Sequence, residues 1–562
     1  MKKGGSQSWQ FLNEVTGKGK INIAILLVVQ ALLGISSIFY ALFLKDIINA
    51  AVGGEEHFFF LSVIRFALLA CMQLLLRALG RYCEEHTRSA LENRFKKRLF
   101  STLMLKDYMS VFAVHSGEWM NRLTSDTVVV ANGLTDILPG LAGMLVRLVG
   151  AITMIIVLEP KFLYLILPGG ILLVLFSYVF RKVMKKLHKN VQEQDGSLRM
   201  YMQESLSGML VVRSYGVEQQ VTKAAEEKMK NHKNARIKKN HFSNICNIGF
   251  GMVMNGAYVL GAFFCGYGIL KGTMSYGVFM AVLQLIGQIQ APFANISGFL
   301  PRFYSMMASC ERLMEAENYK SSACECENPV FKVMKMYREQ LKAVVLSQIA
   351  FSYGDKEELQ ILSNVNITIH KGDCVAVMGT SGCGKSTLLK LLMGIYEPND
   401  GSIQIEMLQG KKEPVKEWRK LFAYVPQGNC LMSGTIRDVV TFYRNENESD
   451  MTVEKALKLA CAEFVWALPD SIDTVLGEKG AGLSEGQMQR IAIARALYAD
   501  APILILDEAT SALDELTEKR LLEQLKKLTD KTILIATHRK AALDICNRQL
   551  VFKGGCIYQT EV

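Results

Sequence analysis

The chain has 562 residues, enough for two or three domains, of which 50% are hydrophobic and 21% charged, with a net charge of +11. A mean hydropathy of +0.18 excludes an ordinary, wholly soluble protein and points to a membrane portion. The positive charge fits either nucleic-acid binding or the positive-inside bias of a membrane protein, and the position of the basic residues decides between them.

The first twenty residues, MKKGGSQSWQFLNEVTGKGK, are basic. No short apolar stretch with a cleavage site follows. The first apolar run is long enough to span, so no cleaved signal peptide is expected. A span needs roughly 20 apolar residues, and six stretches qualify: 21–44, 57–79, 132–158, 162–183, 246–270 and 276–300. Arg65 interrupts the second and Arg147 the third. No repeat at a period of roughly 20–50 residues is visible.

The connections between spans are unequal. Spans two and three, and four and five, are separated by long helix-forming segments dense in Lys and Arg, whereas the other connections are short and poor in basic residues. The positive-inside rule puts the long segments, both termini and the C-terminal half in the cytosol. This explains the charge without nucleic acid, and no aromatics interleave the basic residues to stack bases. Few helix breakers occur in the two segments, so the membrane helices are expected to continue far into the cytosol. Each has a break, near 107–117 and 206–216, where a turn at the tip can dock on a cytosolic domain.

A linker is expected over 319–340. It contains Cys324 and Cys326, whose C-x-C spacing has no His or Cys cluster beside it. The thirteen cysteines are scattered and read as free thiols facing a reducing cytosol. Beyond the linker, 341–353, 364–370 and 373–378 read as strands of a soluble α/β domain. The last runs directly into Gly379-Thr380-Ser381-Gly382-Cys383-Gly384-Lys385-Ser386-Thr387 and then a helical run. G-x-x-x-x-G-K-[ST] between strand and helix is a phosphate loop. Its glycines let backbone N–H groups converge on phosphates at a helix N-terminus. Lys385 is expected to reach the β- and γ-phosphates, and the Ser386 hydroxyl to ligate Mg²⁺. Downstream, the apolar run Ile503-Leu-Ile-Leu ends in Asp507-Glu508. It fits a parallel strand buried on both faces. Asp507 at its end suits Mg²⁺, and Glu508 suits the general base that polarises the attacking water.

Leu483-Ser484-Glu485-Gly486-Gln487, followed by Met-Gln-Arg490-Ile-Ala-Ile-Ala-Arg495, resembles the signature motif of ATP-binding-cassette (ABC) ATPases. Further elements fall in the family's order. Tyr353 sits where the family stacks adenine, and Gln427 resembles its Q-loop glutamine, a Mg²⁺ and water contact. Ser511-Ala-Leu-Asp514 resembles its D-loop, and His538 its switch histidine. The six-span half with two cytoplasmic excursions resembles the exporter-type (type IV) fold, a helical transmembrane domain at 1–318 fused to an α/β ATPase domain at 341–562. The segments around Ser116–Asp126 and Val211–Gly216 resemble those around the family's coupling helices.

The resemblance implies ATP and Mg²⁺ as cofactors and a dimer in which each ATP lies between the phosphate loop of one chain and Ser484, Gly486 and Gln487 of the other. Hydrolysis then drives alternating access. Two departures stand out: Glu485 occupies a position that is more commonly Gly, and Cys383 places a thiol in the phosphate loop, where alkylation is expected to inhibit. Since every nucleotide-site residue is intact, a homodimer is favoured over pairing with a homologous half-transporter. The expected activity is export of a peptide, lipid or amphipathic small molecule across the cytoplasmic membrane. An importer on the same fold is the alternative; a soluble ABC ATPase conflicts with six spans, and an ATP-gated channel with the intact carboxylate. No N-terminal cysteine-protease domain is expected before the first span. Polar residues in spans are costly in lipid, which makes Arg65, Arg147, Asn255, Gln284 and Gln288 candidates for a substrate cavity. Packing or snorkelling is the alternative reading for each.

Overall fold

A computed structural model describes residues 2–114, 116–321, 330–353, 360–428, 431–444, 451–477, 480–553 and 556–561, and the backbone alone at 2–6, 163, 165–179, 181–182, 290–298, 300, 330–331 and 561. Cys324 and Cys326 lie outside the described residues. The chain forms two compact units, 1–102 with 116–318, and 103–115 with 319–562.

The first unit is helical. After α1 (Lys2–Thr16) come α2 (Gly19–Gly53) and α3 (Glu56–Leu105), then, beyond the tip helix α4 (Tyr108–Phe112), α5 (Ser116–Asn121), α6 (Thr127–Asn132) and α7 (Leu138–Leu158). Next come α8 (Leu163–Ser207), a second tip helix α9 (Met209–Ser214), α10 (Glu218–Leu270) and α11 (Tyr276–Glu315). Among the described residues, four helical stretches, Gly19–Gly53, Glu56–Leu105, Ser116–Leu158 and Glu218–Leu270, are long and apolar enough to cross a membrane. Only 11–22% of the residues in their apolar windows are buried, so the apolar side chains face outward, as lipid-facing helices require. The fourth and sixth expected spans fall in α8 and α11, where many side chains lie outside the described residues.

Helices α2 and α7 approach through glycine. A Cβ on Gly34 would come within 3.0 Å of the Gly143 carbonyl oxygen, and one on Gly143 within 2.9 Å of the Gln30 carbonyl oxygen. Small residues at such crossings let helix backbones pack closely in lipid. Two π-helical turns, Arg122–Asp126 and Gly133–Ile137, interrupt the helix from α5 to α7. Beside the first, Arg312 donates to both oxygens of buried Asp126 at 2.8 and 2.6 Å. Arg122 bridges Glu118 and Glu315.

In the second unit, α12 (Val330–Glu339) leads into β1 (Leu341–Ser352). Much of the expected linker is therefore a helix, and its Val333, Met336 and Tyr337 are buried in the core. Then follow β2 (Gln360–His370), β3 (Cys374–Met378), α13 (Lys385–Leu392), β4 (Asp400–Met407), β5 (Lys412–Pro414) and β6 (Phe422–Val425). The short β7 (Gly434–Thr435) pairs with β8 (Val475–Leu476) on either side of α14 (Ile436–Thr441) and α15 (Val453–Leu459). The chain ends with α16 (Glu485–Tyr498), β9 (Ile503–Asp507), α17 (Glu515–Lys526), β10 (Thr532–Ala536), β11 (Arg548–Lys553) and β12 (Cys556–Glu561).

The central sheet has the order β12-β11-β3-β10-β9-β6, parallel except at β12. A smaller antiparallel sheet runs β2-β1-β4-β5. Strand alternation explains the all-apolar run of β9: Leu504 and Leu506 enter the core shared with α16 and α17, whereas Ile503 and Ile505 enter the core shared with α12 and α13. Both faces are covered, as a parallel sheet requires.

Candidate nucleotide site

The C-terminal ends of β3, β10, β9 and β6 lie side by side in the parallel sheet. The phosphate loop, His538, Glu508 and Gln427 therefore emerge along one edge, the place where open parallel sheets hold their ligands. Gly382 and Gly384 adopt φ of +81° and +107°, which L side chains rarely take. Thr380 and Ser381 are exposed, and the Thr380 carbonyl accepts from the Cys383 N–H at 3.3 Å. A Cβ on Gly379 would meet the Cys383 sulfur at 2.6 Å. The first-turn N–H groups of α13 have no intrahelical acceptor and face the loop with the helix's partial positive charge.

Lys385 is 5% exposed. Its ammonium donates to the carbonyls of Gly379 and Thr380 at 2.9 and 3.1 Å, and Glu508 lies 3.4 Å away. The other Glu508 oxygen accepts from the Gln427 amide at 2.7 Å. Glu508 has φ of +49°, a left-handed conformation that costs on the order of 1–3 kcal/mol in a non-glycine residue. It turns the carboxylate out of the strand line toward Lys385 and Gln427.

Asp507 is 1% exposed. One of its oxygens accepts from the Tyr424 hydroxyl at 3.0 Å, and the other is buried with no hydrogen-bond partner. Burial pushes its carboxyl above the ordinary range, and the hydroxyls of Ser386 and Tyr424 act in the opposite sense. An orphaned buried carboxylate oxygen close to the Ser386 hydroxyl is a donor set that fits a hard divalent cation.

Tyr353 is 41% exposed, and its hydroxyl is 2.9 Å from that of Thr387 in α13. Its ring meets Tyr396 edge-on at 6.0 Å, and Tyr396 stacks on Phe351. Tyr108 of α4 reaches Tyr396 at 6.0 Å, and Met109 packs on the same core. The first tip thus touches the aromatic cluster beside Tyr353.

Ser484 caps α16, a 14-residue helix, in a reciprocal box. Its hydroxyl accepts from the Gln487 N–H at 3.3 Å, and the Gln487 side chain accepts from the Ser484 N–H at 2.8 Å. A Cβ on Gly486 would lie 2.8 Å from the Ala512 carbonyl oxygen, and Glu485 is exposed. Asp514 caps α17, and its bond from the Thr517 N–H lowers its pKa. His538 is exposed.

Two residues that the motifs did not single out tie these parts together. Gln489 bonds Ser511 and the Ala512 N–H, both at 3.1 Å. Arg539 donates to the carbonyls of Ser511 and Leu513 and to Glu518. A polar residue on the buried face of an apolar helix, and an arginine directly after the histidine, were the available signals.

Polar residues in the spans are dispersed. Gln288 is engaged between helices, its amide donating to the Ser37 carbonyl at 2.6 Å and accepting from the Ser37 hydroxyl at 3.1 Å. Arg65, Asn255 and Gln284 are exposed. Arg147 has a buried Nε with no partner, and its charged neighbour is Arg77 of α3. Arg77 lies inside the second expected span and was missed there.

Residues 23–293 match the family model of the ABC transporter transmembrane region and 362–511 the ABC transporter family model. The Bacillus subtilis ABC transporter ATP-binding protein YfiC is 32% identical over 78% of this chain and 72% of its own length. The ATP-dependent lipid A-core flippase of Vibrio cholerae is 27% identical over 92% of this chain and 88% of its own. The structure of a bacterial Atm1-family ABC exporter with ATP bound superposes with a TM-score of 0.80 at 22% identity, covering 98% of this chain and 96% of that one.

Proposed function

Because this chain belongs to the ABC transporter family, as an exporter-type (type IV) half-transporter with its membrane region and ATPase in one polypeptide, we propose that it works as a homodimer exporting an anionic amphiphile. It is an integral membrane protein, and its ATPase couples hydrolysis to transport.

The observation that carries the enzymatic reading is the cluster of Lys385, Glu508, Gln427 and Asp507 at one sheet edge. The Tyr353 ring offers adenine a stacking face. Lys385 exchanges the two loop carbonyls and Glu508 for the β- and γ-phosphates, and the first-turn N–H groups of α13 bind the same oxygens. That exchange frees Glu508 to accept the proton of the attacking water, with Gln427 holding its other oxygen in place. Ser386 and Asp507, with Gln427, would hold Mg²⁺, which supplies charge neutralisation at the phosphates. His538 and Asp514 flank the γ-phosphate side. Ser484, Gly486 and Gln487 at the start of α16 serve the nucleotide of the partner chain, so two chains are needed for one complete site.

The substrate class rests on Arg77 and Arg147. Among the described residues, no carboxylate bonds either guanidinium, and unpaired cations in spans are costly unless used. The likeness to a lipid A-core flippase supports a lipid-like cargo. The basic excursions support a cytosolic ATPase, and the exporter-type architecture shared with the flippase supports outward transport. In nanodiscs, anionic amphiphiles are expected to stimulate ATPase more than zwitterionic ones of equal chain length, and Arg147→Ala should erase the difference. Equal stimulation by both would remove the anionic assignment. Inside-out vesicles should accumulate the stimulating amphiphile when ATP is added.

A further inference from the structure

We propose that Cys374 and Cys546 form a redox site, a thiol pair that closes reversibly into a disulfide and staples the segment following His538 to the root of the phosphate-loop strand. The two sulfurs are 3.3 Å apart across a sequence separation of 172 residues. Among the described residues no other two cysteine sulfurs are in contact.

Neighbouring backbone bonds hold the pair in register. The Cys374 N–H donates to the Asn547 side chain at 2.9 Å, and the Asn547 N–H donates to the Cys374 carbonyl at 3.0 Å. From there β3 and β11 run parallel, with Val375 opposite Arg548. Closing the bond to about 2.05 Å therefore asks for side-chain adjustment rather than rearranged strands. Cys374 begins the strand that ends in the phosphate loop. Cys546 follows the turn Lys540–Asp544, two residues beyond His538 at its start.

The two thiols differ in character. The hydrogen bond from Cys546 holds the Cys374 thiol below its usual range; burial and Asp373 oppose this, and Lys526 adds to it. The same bond, with burial, pushes the Cys546 thiol up. Cys374 is half-buried and Cys546 buried. Cys374 is thus the attacking thiolate and Cys546 the resolving thiol.

With a small disulfide such as oxidised glutathione, the Cys374 thiolate bonds one glutathione sulfur and the other leaves as a thiolate, which takes up a proton. Cys546 then gives up its proton and attacks the Cys374 sulfur, and the second glutathione leaves. The protein loses two electrons and two protons, and one disulfide is reduced to two thiols. Closure of so long a loop restricts the unfolded chain and stabilises the fold.

The test treats the full chain in nanodiscs with oxidised glutathione and maps non-reduced peptides. A linked peptide joining Cys374 to Cys546, reversed by dithiothreitol and accompanied by a higher melting temperature of the ATPase unit, is the expected result. Cys546→Ala should trap glutathione on Cys374, and Cys374→Ser should leave Cys546 unmodified. The proposal is overturned if exposed Cys556 is glutathionylated while no Cys374–Cys546 link forms. Cys546→Ala protein that stays unmodified at Cys374 would overturn the assigned order of attack.

Discussion

The two tip helices have the same design and opposite environments. The first, α4, is capped by Asp107, whose carboxylate accepts from the Ser110 N–H at 2.9 Å, and it places Tyr108 and Met109 against the ATPase core of its own chain. The second, α9, leaves Leu210 82% and Tyr215 78% exposed, with Leu206 and Val211 also bare. An apolar surface of this kind marks a contact to be made. The ATPase unit shows the same division. Lys385 bonds the loop carbonyls and lies beside Glu508, which Gln427 also bonds, whereas among the described residues the Ser484 and Gln487 side chains bond across their own cap. What is satisfied within one chain concerns folding and ATP binding, and in the proposed dimer what is left open would meet the second chain.

Substitutions can break this comparison or sharpen it. The largest effect belongs to Glu508→Gln, which keeps the 2.7 Å partner Gln427 within reach but removes the proposed base. Steady-state turnover should fall by about 10²–10⁴-fold while ATP binding by filtration stays intact. Next is Leu210→Asp at the open tip. Transport should fall by roughly tenfold or more, the loss expected for an apolar anchor of about 1.4 kcal/mol or above, with the melting temperature unchanged. Met109→Ala at the docked tip should do the reverse, lowering ATPase-unit stability by about 1–2 kcal/mol, below the range for a fully buried methionine, as chemical denaturation would show. If both tip variants altered stability alike, the two tips would not differ as described.

The smallest effect is that of Asp507. Its carboxyl is raised by burial, so the folded state holds the proton more tightly than the unfolded one. Its stabilising contribution is full below the ordinary carboxyl pKa and is lost as pH rises through the raised value. At neutral pH the buried charge is a cost. Asp507→Asn should therefore raise the nucleotide-free melting temperature by about 2–4 °C at pH 7, with the gain shrinking on acidification. A lower melting temperature at pH 7 would show that the Tyr424 bond outweighs desolvation.

Much of this was legible in the sequence because the governing features are local. The run 503–506 is apolar at every position, as a doubly covered strand must be, and the loop glycines sit where positive φ is needed. Long stretches without breakers marked the helices that outrun the membrane. Other features depend on tertiary neighbours. In 330–339 the three- and four-residue spacing of Val333, Met336 and Tyr337 is a helix signal, but that the helix belongs to a core shows only where those residues pack with β1. The π turn at Arg122–Asp126 carries no breaker residue, and the one at Gly133–Ile137 carries only Gly133, a residue type that other helices here accommodate without a π turn. Gln288 looked like a cavity residue because its partner, Ser37, lies 251 positions away. The proximity of Arg77 to Arg147 was hidden for the same reason.

The claim that each ATP site is divided between two chains is tested most directly by complementation. Lys385→Ala and Ser484→Arg chains carrying different affinity tags are co-expressed, and the doubly tagged dimer is assayed for ATP hydrolysis. Each parent homodimer lacks both sites, whereas the mixed dimer concentrates both lesions in one site and leaves the other whole. Hydrolysis at least about tenfold above either parent is the predicted result. Activity no higher than that of the parents would place both halves of each site in one chain and contradict the account.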